Sequence, residues 1–102
     1  MECSKCGKAF DSNNDNERIA GICGSIMGDE YIETYYYCKS CNSYTVDVYH
    51  DRFLNEEVIF VRGPLTKKEG DAIIDLIKKC PDPYDKKCRC DTHKEYFGGS
   101  LD

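Results

Sequence analysis

The sequence predicts a small α+β fold: an antiparallel sheet, then one helix, then a C-terminal tail held in place by its own side chains. Three observations predict it. Between residues 17 and 61 lie short segments rich in β-formers with alternating polarity. Residues 66–80 carry one stretch of helical periodicity. Eight cysteines stand in a chain of only 102 residues, which buries a modest share of its surface and where staples are common.

The chain opens on Cys3-Ser4-Lys5-Cys6-Gly7, a tight turn in which Gly7 takes the position that favours positive φ. Asp11–Asn16 is polar and turn-forming, so it reads as an exposed loop. Residues 17–38 form a hairpin about Gly28-Asp29; the second arm (Tyr31, Ile32, Thr34, Tyr35, Tyr36, Tyr37) is the stronger strand. Gly21 and Gly24 interrupt the first arm and mark bulges or close backbone approach. A strand over 44–50 places Tyr44, Val46, Val48 and His50 on one face, and Thr45, Asp47 and Tyr49 on the other. A further strand at 58–61 ends the sheet at Arg62-Gly63-Pro64.

The helix follows. Thr66 and Glu69 have capping-box spacing. Ile73, Leu76, Ile77 and Cys80 share one helical face, Lys78 and Lys79 suit the negative end of the dipole, and Pro81 with Pro83 stops the helix at Cys80. The tail 82–102 is polar, with Gly98-Gly99-Ser100 reading as a frayed end.

Cys3/Cys6 and Cys38/Cys41 are two Cys-x-x-Cys knuckles. Two cysteines at that spacing reach one ion from a single turn, with backbone amides aimed at the sulfurs, and two such turns complete a tetrahedral shell. The motifs CSKCG and CKSCN, with a β-rich stretch between them, resemble the zinc-ribbon and rubredoxin-like class over about residues 1–62. That resemblance implies a zinc-ribbon β domain at 1–62, leaving 63–102 as a helix plus a Cys/His-rich segment packed on it. Rubredoxins hold iron in the same cage with a CPxCG-type second knuckle. Lys39 and Asn42 replace its proline and glycine here, which favours zinc over an iron electron carrier. Asn tolerates positive φ, so the turn survives the change.

Cys80, Cys88, Cys90 and His93 suit a second zinc site of Cys3His type, which would explain how so polar a segment folds. Two zinc ions per chain follow; iron or an iron–sulfur cluster is the alternative cofactor, which would make the protein a redox carrier. Cys23 is left over. It reads as a small buried hydrophobe, with replacement of His93 in the second site as its alternative role. His50 reads as a packed side chain.

Residues 1–20 carry Glu2, Lys5, Lys8, Asp11 and Asp15 without an apolar run, and no stretch has the length of a membrane span. A cytoplasmic setting with reduced thiols is expected. Net charge is −5, all of it in residues 1–64, where six Lys/Arg face eleven Asp/Glu; residues 65–102 balance at eight of each. An acidic front half disfavours a phosphate backbone, although Lys86, Lys87, Arg89 and Lys94, with Tyr84, Tyr96 and Phe97, keep nucleic-acid binding open as the alternative.

No nucleophile elbow, phosphate loop, HExxH or paired-acid constellation is present. A non-enzymatic accessory or protein-interaction module is the expectation. Its surface is expected in the tyrosines at 31, 35, 36, 37, 44 and 49, since tyrosine is enriched at interfaces.

Overall fold

The computed structural model describes residues 2–11, 13–26, 28–52, 57–85, 87–88 and 90–98. Its centre is a four-stranded antiparallel sheet of β1 (Arg18–Ile26), β2 (Asp29–Cys38), β3 (Ser43–Asp51) and β4 (Glu57–Thr66), in sequence order. α1 (Lys67–Lys78) and a short α2 (Asp91–Tyr96) follow.

The first hairpin turns one residue earlier than expected. Asp29 already pairs with Ile26, and Gly28 adopts φ +86°, a value open to glycine at little cost. β4 runs past Arg62-Gly63-Pro64 to Thr66, because a register irregularity opposite Tyr44–Val46 absorbs the Gly-Pro step and Leu65 and Thr66 rejoin the ladder. Thr66 is both the last residue of β4 and the N-cap of α1. Its hydroxyl accepts the Glu69 amide at 3.1 Å and its own amide donates to the Glu69 carboxylate at 3.0 Å, the predicted capping box.

One face of the sheet carries the main core. Ile22 of β1, Tyr35 of β2, and Tyr44, Val46 and Val48 of β3 pack against Ile74 and Ile77 of α1. Each such aliphatic side chain contributes about 1.5–3 kcal/mol on burial. The buried stripe of α1 is Gly70, Ile74 and Ile77, with Ile73 and Leu76 half-buried beside it, so the helix sits rotated from the face expected. Gly70 is there because the Tyr44 ring occupies the space its Cβ would need. On the other face Phe10 stacks on Tyr36 at 5.2 Å, forming a smaller cluster with Cys3, Cys38 and Cys41.

The tail differs from the single-helix expectation. Asp91–Tyr96 forms a second helix and brings Tyr96 and Phe97 onto the core. Phe97 covers Gly24 and Tyr84 covers Gly21, and a Cβ at either glycine would overlap the ring above it. This is the close approach expected of those two glycines. The Cys23 amide donates to the Pro83 carbonyl at 2.8 Å, so the tail also runs along the outer edge of β1.

The tyrosines do not form an exposed aromatic surface. Tyr35, Tyr36 and Tyr44 are buried, and Tyr31, Tyr37 and Tyr49 are half-buried. A sheet with core on both faces has room for more rings than a one-sided sheet. His50 packs as expected, stacked on Tyr31 at 4.1 Å with its Nε2 3.0 Å from Asp29. Residues 86, 89, 99 and 100 of the expected basic cluster and frayed end lie outside the described residues. Among the described residues, no helix is long and apolar enough to cross a membrane.

Candidate metal centres

The four knuckle cysteines converge. Cys3 and Cys6 sit in a turn closed by the Cys3 amide on the Lys8 carbonyl (2.8 Å), the Gly7 amide on the Cys3 carbonyl (2.9 Å) and a Glu2–Ala9 bridge. Gly7 has φ +78°. Cys38 ends β2, and Cys41 lies in the turn to β3, where Asn42 takes φ +49°. Both predicted left-handed positions are therefore present. Sγ separations are 3.5 Å for Cys3–Cys41, 3.7 Å for Cys6–Cys38 and 3.9 Å for Cys6–Cys41. A tetrahedral ion with bonds of about 2.3 Å to sulfur sets its ligands about 3.8 Å apart, so the cage has the size such an ion needs.

A polar seat missed by sequence reasoning positions the first knuckle. The Ser4 amide donates to Thr45 Oγ1 at 2.9 Å, and the two hydroxyls lie 2.9 Å apart. Thr45 is fully buried although alternation placed it on the outer face, because the knuckle itself covers that end of the sheet. Ser43 Oγ stands 3.0 Å from Cys41 Sγ.

The second cluster joins Cys80, just past α1, with Cys88, Cys90 and His93. Cys80 Sγ is 3.8 Å from Cys88 Sγ, 3.5 Å from Cys90 Sγ and 3.2 Å from His93 Nδ1; Cys90 Sγ is 3.5 Å from the same nitrogen. A tetrahedral sulfur–nitrogen pair spans about 3.6 Å. His93 is fully buried. Its Nε2 lies 3.0 Å from the Cys23 carbonyl oxygen, so Cys23 contributes through its backbone. The ligand-capable atoms within each cluster all lie within 4.8 Å of one another.

The thiol acidities are compatible with a shared cation. Burial pushes Cys3 up, but the amides of Cys6 and Lys5 and the neighbouring thiols outweigh it and bring it down to about 6. Cys38 is lowered in the same way, against burial, by the Cys41 and Ser40 amides and the nearby thiols. The Ser43 hydroxyl favours the Cys41 thiolate, yet burial and three neighbouring sulfurs push that thiol up to about 11. In the second cluster the His93 amide and ring hold Cys90 at about 6, while burial and the Cys90 and Cys88 sulfurs push Cys80 up to about 12. Neighbouring S–H groups support the first thiolate, whose charge then opposes the next. A central divalent cation removes that conflict and lets every sulfur ionise. Both donor sets therefore fit a metal.

Around the second cluster the tail is locked to the sheet. Tyr96 donates to Glu33 Oε1 at 2.5 Å, Tyr35 and Tyr96 hydroxyls meet at 2.5 Å, and Arg62 pairs with Glu33 at 2.5 Å. Glu33 is buried, so this network is what makes its charge tolerable.

No family model, curated protein or solved structure matches this chain, so the case for two metal-binding centres rests on the geometry and chemistry of the ligands themselves.

Proposed function

We propose that the protein is a zinc-stapled module that presents a sheet surface to a protein partner, with both metals structural. Four protein ligands per site leave no open position for substrate or water, as in structural zinc centres. Thiolate-rich sets favour zinc among common divalent ions, and the Lys39 and Asn42 departures from the rubredoxin pattern favour zinc over iron. The two-knuckle cage on a β-hairpin supports a zinc-ribbon identity. A reducing compartment such as the cytoplasm keeps the thiols available.

The observation that carries the interaction role is β4. Val58 and Phe60 on one face of this edge strand, and Ile59 and Val61 on the other, are all exposed, and an exposed apolar edge strand is a template for contact with another chain. Two measurements test the reading. Protein purified without added metal should be colourless and hold two zinc per chain; a coloured iron protein overturns the metal assignment. A photo-cross-linking residue at position 59, expressed in the native cell, should give a discrete protein adduct that the same residue at exposed position 68 does not. No adduct at 59 overturns the interaction role.

A further inference from the structure

Sheet register sorts the face opposite the helices into rows. Ile32, Tyr49 and Ile59 are direct cross-strand neighbours in β2, β3 and β4. One row along, Glu30, Asp51 and Glu57 stand opposite one another, and on the other side Thr34, Asp47 and Val61 do. An apolar row is thus flanked by three carboxylates on one side and by Asp47 alone on the other. Ile59 is 68% exposed, Val61 51% and Ile32 38%; the first knuckle and Phe10 cover only the far end of this face, over Thr45 and Tyr36. On the helix side of β4, Phe60 and Val58 are also exposed.

The two sheet edges differ. β1 is the edge along which the tail runs, through the bond from the Cys23 amide to the Pro83 carbonyl. β4 is the other edge, and among the described residues no strand pairs with its outer side. A long apolar edge strand left in this state invites pairing with another chain.

We infer that β4 receives an added strand from a partner protein that places apolar side chains beside Val58–Val61 and a lysine or arginine opposite Glu57. The inference rests on the interaction reading above and names the chemistry of the partner. Like charges directly opposite one another destabilise a sheet, and Asp51 and Glu57 are such a pair across β3 and β4. A cation continuing the row would relieve it. Tyr49 reports the same field: its hydrogen bond to Glu57 first, then burial and the charges of Glu57, Asp51 and Glu30, push its phenol up to about 12. A second copy of this chain does not supply the cation. Antiparallel pairing of β4 with itself offers Glu57 only residues on the same face, such as Ile59 or Val61, while Arg62 points to the other face and is held by Glu33. Stacking two such faces would set acidic rows against acidic rows.

The test uses the full, metal-loaded protein and two synthetic peptides, Lys-Thr-Val-Thr-Val-Lys and its glutamate-flanked counterpart, followed by amide chemical shifts. The lysine peptide should shift amides of residues 57–62 and bind roughly three- to tenfold tighter at low salt. Glu57→Lys should reverse that preference; Tyr49 and Asp51, which face Glu57, shift with it, while the amides of α1 and α2 stay in place. Equal binding of both peptides, shifts elsewhere than β4, or no shift at all overturns the inference. So does a dimer of the protein alone that Ile59→Asp dissociates, which assigns the edge to a second copy. If the position-59 adduct forms while the peptide preference fails, the interaction reading stands and the basic-strand inference falls.

Discussion

The imidazole Nε2 of His93 sits 3.0 Å from the backbone carbonyl oxygen of Cys23. Only an Nε2–H can donate to that oxygen, so the neutral ring is left with a bare Nδ1 facing Cys80 and Cys90. Nδ1 is the atom placed to ligate a metal, oriented by a bond from the opposite nitrogen. His93→Ala should lose the second metal, with affinity falling by more than the roughly 100-fold that loss of an outer partner costs. Cys23→Ser should keep the full metal count, because Cys23 meets His93 through its backbone oxygen, which the substitution retains. Native mass spectrometry of the two variants reads both outcomes.

Removing metal should unfold more than the loops that hold it. Cys38 ends β2 and Cys3 belongs to the Phe10–Tyr36 cluster, so the first cage joins the N-terminal segment to the sheet. A strong chelator should abolish cooperative thermal unfolding, since metal binding in small domains of this kind supplies folding free energy. Cys38→Ser should lower the metal count by one. Circular dichroism with and without returned zinc measures the effect, and full recovery distinguishes metal loss from aggregation.

The Glu33–Tyr96–Tyr35–Arg62 network carries a pH signature. Burial first, then the Glu33 charge, raises the Tyr96 phenol above its ordinary value. In the unfolded chain that phenol titrates near pH 10. The folded chain therefore keeps a proton that the unfolded chain releases, so this contribution is fully present below about pH 10 and declines as pH rises above it. Tyr96→Phe should remove an alkaline slope of about 0.7 kcal/mol per pH unit near pH 10 that approaches about 1.4 near pH 11. At neutral pH it should cost about 1–3 kcal/mol, because Glu33 loses a partner in a buried setting. Urea melts across that range give both numbers.

Gly70→Ala tests packing against propensity. Alanine improves an α-helix by about 1 kcal/mol over glycine. At position 70 the new methyl would overlap the ring of Tyr44, which is itself buried and bonded to Asp71. Overpacking of this kind costs about 1–3 kcal/mol, so the variant should melt earlier than the parent. Gly70→Ala combined with Tyr44→Leu should recover part of the loss.

Features encoded by neighbours in sequence were legible from sequence alone. The knuckle turns, the left-handed Gly7 and Asn42, the Thr66–Glu69 box and the first hairpin each depend on residues a few positions apart. Tertiary contacts were harder to read. Alternation alone put Thr45 on the face opposite Val46 without saying what covers it, and the docking of Ser4 explains its burial. Asp91–Tyr96 is too short and polar to announce a helix; contacts through His93 and Tyr96 hold it. Tyrosine was read as surface because the number of covered sheet faces is a property of the assembled domain. The apolar run at 58–61 was visible, but its position on an edge became visible only once β1 was seen to be lined by the tail.

The ligand positions also bear on the order of assembly. Cys6 and Cys38 stand 32 positions apart, whereas Cys80 and Cys88 stand 8 apart. Each doubling of a closed loop costs about 0.6 kcal/mol of chain entropy, so the first cage starts about 1.2 kcal/mol behind the second. On chain entropy, an unfolded chain meeting scarce metal would knot its tail first. The N-terminal knuckle would wait for the β1–β2 hairpin to bring its partner cysteines within reach, making the last-joined cage the one that reports a formed hairpin.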